Sequence, residues 1–259
     1  MDALRVCLYV FAGVTLGTWL VSVLTREYSW VDRIWSIVPV AYVGIFAGAA
    51  GFADARLDVM FALVALWGIR LTFNFARKGG YAPGGEDYRW AVLRERLAPW
   101  QFQLFNFSFI SLYQNVILLL ITLPALTALE HPGGFGAADV VVALVFAAFL
   151  VGETVADQQQ WAFHREKHAG RAPTRFLQAG LFRYSRHPNF FFEQAQWWAV
   201  AAFGVVAGGL QWTVAGAVLL TLLFVGSTRF TESITKSRYP EYADYQRRTS
   251  AVVPWPARG

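Results

Sequence analysis

The stretch "RYSRHPNFFFEQAQWW", residues 183–198, brings cations up to an aromatic, apolar segment that still contains polar side chains. Asn189 and Glu193 stand four residues apart, so on a helix they share one face. Upstream, "VGETVADQQQWAFH" places Glu153 and Asp157 at the same spacing. Arginine forks suit phosphates, whereas amides and carboxylates suit the amide, ribose and ring groups of a nucleotide. Together these residue types favour binding of an anionic nucleotide or an anionic lipid headgroup.

Motifs for several other chemistries are absent from the chain. It contains no P-loop, no H-E-x-x-H and no G-x-S-x-G, and the glycines of "GGYAPGG" do not match G-x-G-x-x-G. His164 and His168 have the spacing of a metal-binding pair, but no third ligand is apparent. The single cysteine, Cys7, excludes an internal disulfide and a cysteine-based metal site. We therefore expect no metal.

The elements that position these residues are predicted to be membrane-spanning helices. Of the 259 residues, 56% are hydrophobic and only 15% are charged, against about 25% charged in soluble domains. Apolar runs of roughly 18 or more residues are typical of membrane spans. We predict an all-α integral membrane protein, a bundle of seven transmembrane helices. The predicted spans cover about 3–25, 30–50, 58–77, 101–128, 138–162, 189–208 and 211–230.

The basic residues predict the orientation of this bundle. Most of the 22 Lys and Arg residues fall within 77–96, 165–186 and 229–258. With seven spans these three clusters lie on one side, and the opposite connections carry only Arg56. The positive-inside rule then places the clusters in the cytoplasm and the N-terminus outside. In a bacterium this would be the inner membrane.

The chain shows no linker or internal repeat, so we expect one domain over residues 1–259, acting as a monomer. The two longer connections, 76–100 and 164–188, lie on the predicted cytoplasmic side together with the tail. The basic residues sit in short loops where they orient the chain and contact anionic membrane lipids, so nucleic-acid binding has no support.

Ionisable side chains at membrane depth are costly and therefore indicate function. Asp32 begins the second predicted span, and Arg70 lies near the end of the third. Arg229 and Glu232 stand three residues apart near the end of the seventh span. Snorkelling to the interface is an alternative for Asp32 and the arginines. With Glu153 and the other buried carboxylates, they predict a charged lining in the cytoplasmic half of the bundle.

Several segments resemble one family of membrane enzymes. "GLFRYSRHPNFFFEQAQWW", "GETVADQQQWAFHREK" and "YPEYADYQRRTSAVVPW" resemble the steroid 5α-reductase-like family, and "VDRIWS", "WGIRL" and "GGEDYRW" resemble a bacterial branch once described only as a domain of unknown function. The likeness covers most of the chain. Sterol C14 and C7 reductases and isoprenylcysteine carboxyl methyltransferases have a similar arginine-histidine-proline segment.

The resemblance implies a seven-helix bundle that holds NADPH in its cytoplasmic half and takes an apolar substrate from the bilayer. Such enzymes reduce a carbon–carbon double bond conjugated to a ketone, as in a steroid or another lipid-soluble enone. Hydride passes to the β-carbon while an acid near the ketone stabilises the enolate.

The cofactor residues follow from the resemblance and from the predicted lining. Asp157 matches an aspartate near the nucleotide, Arg175 an arginine near the phosphates, and Asn189 and Glu193 residues near the ribose and nicotinamide. The full predicted set is Arg70, Lys78, Asp87, Arg89, Glu153, Asp157, His164, Arg175, Tyr184, Arg186, His187, Asn189, Glu193, Arg229 and Glu232.

The predicted catalytic residues depart from the family pattern. The animal enzymes hold the ketone with a glutamine-glutamate pair in the second span and a tyrosine in the third, and neither is found here. Trp67 falls near the place of that tyrosine. Asp32, with Tyr28 nearby, is the remaining acid candidate, because a protonated, desolvated aspartic acid donates to a carbonyl oxygen.

Two other functions stay open at this point. An S-adenosylmethionine-dependent membrane methyltransferase would share the arginine-histidine-proline segment, but such enzymes pair it with a twin-glutamate tail, whereas Glu232 and Glu241 are well apart. A lipid transporter or binding module would use the same polar lining without chemistry. For a transporter we expect repeat symmetry or broken helices, and the sequence shows neither.

Overall fold

The computed structural model describes residues 2–256 and confirms the all-helical prediction. Within that range there is no β-strand, and one isolated parallel bridge joins Ser185 to Ser250. Arg258, in the third basic cluster, lies outside the described residues.

The described part of the chain forms a succession of α-helices with short 3₁₀ turns at Gly180–Arg183 and Trp212–Val214. The helices are α1 (Ala3–Thr25), α2 (Trp30–Ile34), α3 (Val38–Ala49), α4 (Ala55–Arg77), α5 (Tyr88–Arg96), α6 (Pro99–Phe105), α7 (Gln114–Leu120), α8 (Pro124–Glu130), α9 (Ala137–His168), α10 (Pro188–Gly208), α11 (Ala215–Arg238) and α12 (Tyr242–Arg248). A π-helical segment, Asn106–Tyr113, joins α6 to α7.

Six helical stretches of the described chain are long and apolar enough to cross a membrane. They are Ala3–Thr25, Trp30–Ala49, Ala55–Arg77, Pro99–Glu130, Ala137–His168 and Trp212–Arg238. They match six of the seven predicted spans and show a multi-pass membrane protein. The other predicted span, 189–208, coincides with α10, which is not among the six. Asn189, Glu193, Gln194 and Gln196 make the first half of α10 too polar to qualify by composition.

Two of the predicted spans are not continuous α-helices. The span predicted over 30–50 is interrupted between α2 and α3, where Pro39 stands in the first turn of α3. The span predicted over 101–128 contains the π-helical segment and a second break before Pro124. Proline lacks an N–H and cannot donate the helical hydrogen bond to the residue four positions earlier, so the breaks before Pro39 and Pro124 have a local cause.

Aspartate caps fix where three of the helices begin. Asp2 accepts a hydrogen bond from the Leu4 N–H at 3.2 Å, Asp54 from the Leu57 N–H at 3.0 Å, and Asp87 from the Arg89 N–H at 2.8 Å. Each carboxylate satisfies a backbone donor that has no partner inside its helix. Asp87 thereby begins α5, so one of the predicted cofactor residues also has a structural role.

The chain divides into two compact units. Unit one comprises Met1–Ala143 and Ala199–Val218, and unit two comprises Leu144–Trp198 and Leu219–Gly259. The long helices α9, α10 and α11 each contribute to both.

One end of unit one is tied by a buried ion pair. Arg56, at the start of α4, donates from Nε to Asp139 Oδ1 at 2.6 Å and from Nη2 to Asp139 Oδ2 at 3.1 Å. Arg56 also donates to the Gly134 carbonyl oxygen at 3.1 Å. Asp139 lies in the first turn of α9, so the pair joins two helix starts. Arg56, the basic residue of the predicted outer connections, therefore joins α4 to α9.

In unit two, α10 and α11 run antiparallel. His187, just before α10, lies 3.1 Å from Glu232, measured between Nε2 and Oε1. Further along, Trp198 Nε1–H donates to Thr221 Oγ1 at 3.1 Å. From the first contact to the second, the residue number rises by 11, from His187 to Trp198, and falls by 11, from Glu232 to Thr221. This register is the one expected for two antiparallel helices packed side by side.

Candidate functional site

In unit one, polar residues gather where the chain leaves α1 and where α5 begins. We call this group the amino-terminal cluster, and it consists of Glu27, Tyr28, Ser29, Asp32, Arg33, Glu86, Asp87, Arg89 and Trp90. Residues 28 and 29 are joined to residues 86 and 87 by hydrogen bonds, in the same order along both segments. The Tyr28 N–H donates to Glu86 Oε1 at 2.7 Å, and the Asp87 N–H donates to Ser29 Oγ at 2.9 Å. The pairing holds the start of α5 against the start of α2.

Asp32 lies beside the two cofactor residues predicted in "GGEDYRW". Trp90 Nε1–H donates to Asp32 Oδ2 at 3.4 Å, and Asp32 is within electrostatic range of both Asp87 and Arg89. Arg89 forms an ion pair with Asp87, in which Arg89 Nη2 donates to Asp87 Oδ2 at 2.6 Å. Burial alone would lower the pKa of Arg89, but the hydrogen bond and charge of Asp87 outweigh it and raise this pKa above its usual value. The structure thus brings together an acid candidate and a permanent cation.

Tyr28 has a different environment, although it is close to Asp32 in sequence. Its hydroxyl oxygen accepts a hydrogen bond from Gln103 Nε2 at 2.9 Å. Its ring packs edge-on against Phe102, with centroids 4.7 Å apart, in a core cluster that includes Val31. Among the described residues no hydrogen bond joins Tyr28 to Asp32, so the two predicted catalytic side chains do not contact each other through a hydrogen bond.

The glycine-rich loop of residues 79–85 wraps around an ion pair. Arg33 Nη2 lies 2.8 Å from Glu27 Oε2, and Arg33 Nε donates to the Gly80 carbonyl oxygen at 3.2 Å. The Gly84 N–H donates to Glu27 Oε1 at 2.9 Å. This N–H, and then the Arg33 guanidinium, hold the pKa of Glu27 below its usual range. Gly84 has a φ of 78°, a conformation that favours glycine, so these glycines shape a loop around protein groups.

The other predicted cofactor residues of unit one are on α4. Arg70 is half-buried within the helix, and Lys78 is exposed at its C-cap. Both residues have interaction partners in the structure.

In unit two, Arg186, His187 and Glu232 form the centre of a second group, the carboxyl-terminal cluster, completed by Tyr242 and Gln246. Glu232 Oε1 accepts from Arg186 Nε at 2.6 Å and lies 3.1 Å from His187 Nε2. Tyr242 and Gln246 donate to Glu232 at 3.2 Å and 2.8 Å. Both oxygens of this buried carboxylate are therefore occupied by protein donors.

Arg186 is likewise taken up by protein acceptors. Its Nη2 donates to the second Glu232 oxygen at 3.0 Å, and its Nη1 donates to the carbonyl oxygens of Gln246, at 3.0 Å, and Thr249. Burial would lower the pKa of Arg186, but Glu232 outweighs it and raises this pKa. The guanidinium predicted to meet a phosphate here holds the start of α10 to α11 and the tail.

The tail itself lies along the segment before α10, in an arrangement we call the carboxyl-terminal strap, residues 249–255. The Arg186 N–H donates to the Ser250 carbonyl oxygen at 2.9 Å, and the His187 N–H donates to that of Ala251 at 3.1 Å. The Trp255 N–H donates to the Tyr184 carbonyl oxygen at 2.9 Å. The strap uses the backbone of Tyr184 and leaves its side chain exposed.

Three predicted carboxylates of unit two are buried within the helices. Glu153 and Asp157 on α9 are each 4% exposed, and Glu193 on α10 is 5% exposed. Gln196 Nε2 donates to Glu153 Oε2 at 2.6 Å, and Trp197 Nε1 donates to Glu193 Oε1 at 3.2 Å. All three carboxylates are therefore buried side chains of α9 and α10. Gln196 was not predicted as a site residue, although it is one of the few amides inside an apolar helix.

The remaining predicted residues of unit two are more accessible. Asn189 is half-buried at the start of α10, and Arg175, His164 and Arg229 are exposed. Arg175 lies 3.6 Å from Glu241. Among the described residues the side chains of Asn189, Arg183 and Arg229 have no hydrogen-bond or ion-pair partner. The described chain shows no group of three metal-ligating side chains.

Comparison with known proteins matches this chain to one family. A family profile described as "Protein of unknown function (DUF1295)" matches residues 18–249. The chain belongs to this family. Uncharacterized protein C594.04c of Schizosaccharomyces pombe is 37% identical over 258 residues, a match that covers 91% of this chain and 75% of that protein. No solved structure matches. The match confirms the coarser part of the resemblance, to a family described as a domain of unknown function.

Proposed function

We propose that this DUF1295 protein is an NADPH-dependent membrane reductase that reduces a carbon–carbon double bond conjugated to a ketone in a lipid-soluble, steroid-like substrate. The observation that carries the proposal is the polar content of unit two. Three carboxylates are buried on α9 and α10, and the same unit holds Arg183 and Arg229, which have no partner among residues 2–256. Buried charge at membrane depth is costly and marks functional sites.

The residues of unit two fit the chemical groups of NADPH. Arg183, Arg229 and the weakly paired Arg175 supply guanidinium forks for phosphates. Asn189, whose side chain has no partner in the described part of the chain, and the buried Glu193 supply hydrogen bonds for amide and hydroxyl groups. Arg186, His187 and Glu232 fit less directly, since their hydrogen bonds are used within the carboxyl-terminal cluster. We propose that these three position the start of α10.

The chemistry divides between the nucleotide and the chain. When bound, NADPH supplies a hydride to the β-carbon of the enone, and a proton from water completes the reduction. Asp32 is our candidate for the acid that stabilises the developing enolate oxygen. Its Trp90 hydrogen bond fixes the carboxyl group, and the Arg89 cation nearby would stabilise the negative charge that develops on the enolate oxygen. Tyr28, whose hydroxyl oxygen already accepts from Gln103, supports this segment through packing.

We also propose that α10 is a seventh span, with the N-terminus outside and the C-terminus cytoplasmic. The antiparallel register of α10 against α11 supports this, because α11 belongs to a stretch long and apolar enough to cross the membrane. The two contacts pair residues 187–198 with residues 232–221 over about three helical turns. Seven spans also keep the basic tail on the same side as the other two basic clusters, as the positive-inside rule requires.

One observation favours a lipid transporter or binding module as the second candidate. The breaks before Pro39 and Pro124 make two of the membrane stretches discontinuous, and discontinuous helices form binding sites in transporters. Such a module would bind the lipid-soluble molecule without consuming a nucleotide.

Thermal unfolding with candidate cofactors separates these functions. Protein purified in detergent would be titrated with NADPH, NADP⁺ and S-adenosylmethionine. At 100 times its Kd a ligand stabilises the fold by about 2.7 kcal/mol, a rise in Tm of roughly 5–10 °C for a chain of this size. We expect NADPH to raise Tm. Stabilisation by S-adenosylmethionine alone would replace the proposal with a methyltransferase, and no response to any of the three would favour the binding module.

A further inference from the structure

The carboxyl-terminal strap displays apolar side chains instead of burying them. Trp255 is 66% exposed and Val253 is 58% exposed. Tyr184, whose carbonyl oxygen accepts a hydrogen bond from the Trp255 N–H at 2.9 Å, is 44% exposed. That hydrogen bond brings the two backbones together, so the three exposed side chains start from neighbouring points of unit two. We call Tyr184, Val253 and Trp255 the strap surface.

The backbone that carries these side chains is held in place. Ser185 Oγ donates to the Val252 carbonyl oxygen at 2.6 Å, which ties the strap just before Val253. Val253 and Trp255 each precede a proline, and a residue before proline is restricted to extended backbone. Both side chains therefore project from a segment that is fixed at Val252 and again at Trp255.

The strap surface lies level with the end of a membrane-spanning stretch. The strap is hydrogen-bonded to residues 184–187, and His187 lies 3.1 Å from Glu232 on α11. Arg229 is the first charged residue of the stretch Trp212–Arg238, and Glu232 follows it after about 4.5 Å of helix. The headgroup region on each side of a bilayer is about 5–7 Å thick. These segments therefore lie at the depth of the lipid headgroups.

Two exposed arginines adjoin the strap. Arg247 and Arg248 end α12, directly before the first residue of the strap. The Arg247 side chain is 72% exposed and pairs with Asp244, and Arg248 is exposed with a hydrogen bond of 3.4 Å to the Asp244 carbonyl oxygen. Residues 242–256 carry these two cations and one acid, so this part of the chain is positive. Its charge is complementary to a layer of anionic lipid headgroups.

The aromatic residues of the strap surface have the chemistry of the membrane interface. Tryptophan and tyrosine each join an apolar ring to a polar N–H or O–H group, and both are enriched where a membrane meets water. An indole in water gains none of the free energy of burial, whereas the interface accepts the ring and its N–H together. The exposure of Trp255 and Val253 is thus favourable at the depth where the strap lies.

We propose that the strap surface binds the bilayer interface, with Val253 and Trp255 among the upper acyl chains and Arg247 and Arg248 on anionic phosphate groups. The strap is hydrogen-bonded to the segment just before α10, so lipid binding also stabilises the start of that helix. The proposal goes beyond the reductase function and does not rest on it, since it requires neither NADPH nor a substrate.

Quenching by spin-labelled lipids measures the depth of the strap. Full-length protein with Cys7→Ala, which removes the single native cysteine, would carry the dye NBD at Val253→Cys and be reconstituted in bilayer nanodiscs. We expect lipids with a spin label high on the acyl chain to quench this dye. A dye at Ala169→Cys should stay unquenched, because Ala169 follows α9, whose 32 residues extend about 48 Å, beyond the hydrocarbon core. No quenching at position 253 would overturn the proposal.

Anionic lipid tests the arginines. The Tm in phosphatidylcholine nanodiscs would be compared with the Tm in discs that also contain phosphatidylglycerol. We expect a higher Tm in the anionic discs, and Arg247→Gln and Arg248→Gln should each reduce that rise by about 2–4 °C. Arg171→Gln, which changes an exposed arginine paired with Glu166, should leave the rise unchanged. An equal rise in every variant would contradict lipid binding by these two arginines.

Trp255→Ala separates an anchor from a segment that merely lies near lipid, because it removes the indole and keeps the backbone hydrogen bond to Tyr184. We expect weaker quenching of the dye at position 253 and a lower Tm in nanodiscs, with both partly restored in Trp255→Phe. If neither quantity changes, the proposal is wrong. It is also wrong if the dye is unquenched and two labelled copies transfer energy to each other, since the surface then joins two copies.

The cofactor result is independent of these measurements. NADPH binding would be measured in detergent, without anionic lipid. Its absence would end the reductase proposal and leave the quenching of the dye at position 253 unaffected, whereas an unquenched dye would leave NADPH binding unaffected.

Discussion

Arg186 and Glu232 form a doubly hydrogen-bonded ion pair between residues 46 positions apart. The pair connects the residue two positions before α10 to the last turns of α11, and Arg186 extends it to the carbonyl oxygens of Gln246 and Thr249. A single buried salt bridge thus fixes one helix start, one helix end and the carboxyl-terminal strap.

Glu232→Gln should therefore destabilise the protein strongly. It leaves the Arg186 cation buried without its counter-charge, and breaking a buried pair in this way typically costs about 3–5 kcal/mol. The side chains of Arg186 and Glu232 are each 9% exposed. The control is Glu166→Gln, whose partner Arg171 is 67% exposed, and such a surface pair contributes less than about 1 kcal/mol. Equal shifts in Tm for the two variants would contradict a structural role for the pair.

Arg183→Gln and Arg229→Gln should each weaken NADPH binding without lowering Tm. Neither guanidinium has a partner among the described residues, so its removal leaves no protein group unsatisfied. Loss of one charge-assisted hydrogen bond, about 1.5–3 kcal/mol, raises Kd roughly tenfold or more. The measurement is an NADPH titration by fluorescence or calorimetry, with Arg171→Gln as the exposed-arginine control. Unchanged affinity in both variants would remove these residues from the cofactor site.

Asp32→Asn should slow reduction while it preserves the fold. The amide keeps the hydrogen bond from Trp90 but cannot supply the acid, and loss of a general acid typically slows a reaction about 10²–10⁴-fold. NADPH oxidation with cholest-4-en-3-one as the probe substrate would be followed for this variant and for Glu95→Gln, which changes an exposed carboxylate of α5. A full rate in Asp32→Asn would transfer the acid role to another group.

Much of the fold could be predicted from hydropathy, because long apolar runs have few other uses. The bounds of α1 match the predicted span, whereas α9 extends six residues beyond its predicted end at 162. The breaks before Pro39 and Pro124 were not predicted, since a proline scarcely changes the hydropathy of a window while it removes a backbone donor. Because the first half of α10 contains polar residues, a composition rule for membrane spans does not select this 21-residue helix.

The site residues could be predicted one by one but not as contacts. Asp32 and Asp87 each stood out in the sequence, yet 55 residues separate them and only the docked start of α5 brings them together. Arg186 was predicted to bind a phosphate, and no local pattern indicates that Gln246 and Thr249 supply its acceptors. Long-range partners of this kind follow from packing and not from spacing.

Gly84→Ala should destabilise the loop around Arg33 and Glu27. Gly84 has a φ of 78° and its N–H donates to Glu27. A left-handed conformation costs a residue with a Cβ about 1–2 kcal/mol. Gly13→Ala is the matched control, because Gly13 is helical with no atom within 4 Å of an added Cβ, and alanine favours a helix. We expect a lower Tm for Gly84→Ala and an equal or higher one for Gly13→Ala; the reverse order would refute the loop assignment.

Alkaline pH should destabilise the region of unit two around α12. Burial, more than the negative charge of Glu232, raises the pKa of Tyr242 well above its usual value, and burial also raises that of Tyr245. An unfolded tyrosine ionises near pH 10. Above about pH 10 the unfolded chain therefore releases protons that the folded chain retains, and stability falls as the pH rises. Below that pH the ionisation of these two tyrosines adds no pH dependence to the stability.

Thermal unfolding between pH 8 and pH 11 measures this effect. Tyr245 donates a hydrogen bond to the Phe182 carbonyl oxygen, so Tyr245→Phe should lower Tm at every pH while it reduces the slope above pH 10. Tyr9→Phe is the control, because Tyr9 is exposed on α1 and its hydroxyl group makes no hydrogen bond to the described residues. We expect the slope to be unchanged in Tyr9→Phe and shallower in Tyr245→Phe. Parallel curves for all three proteins would mean that neither buried tyrosine governs the alkaline loss of stability.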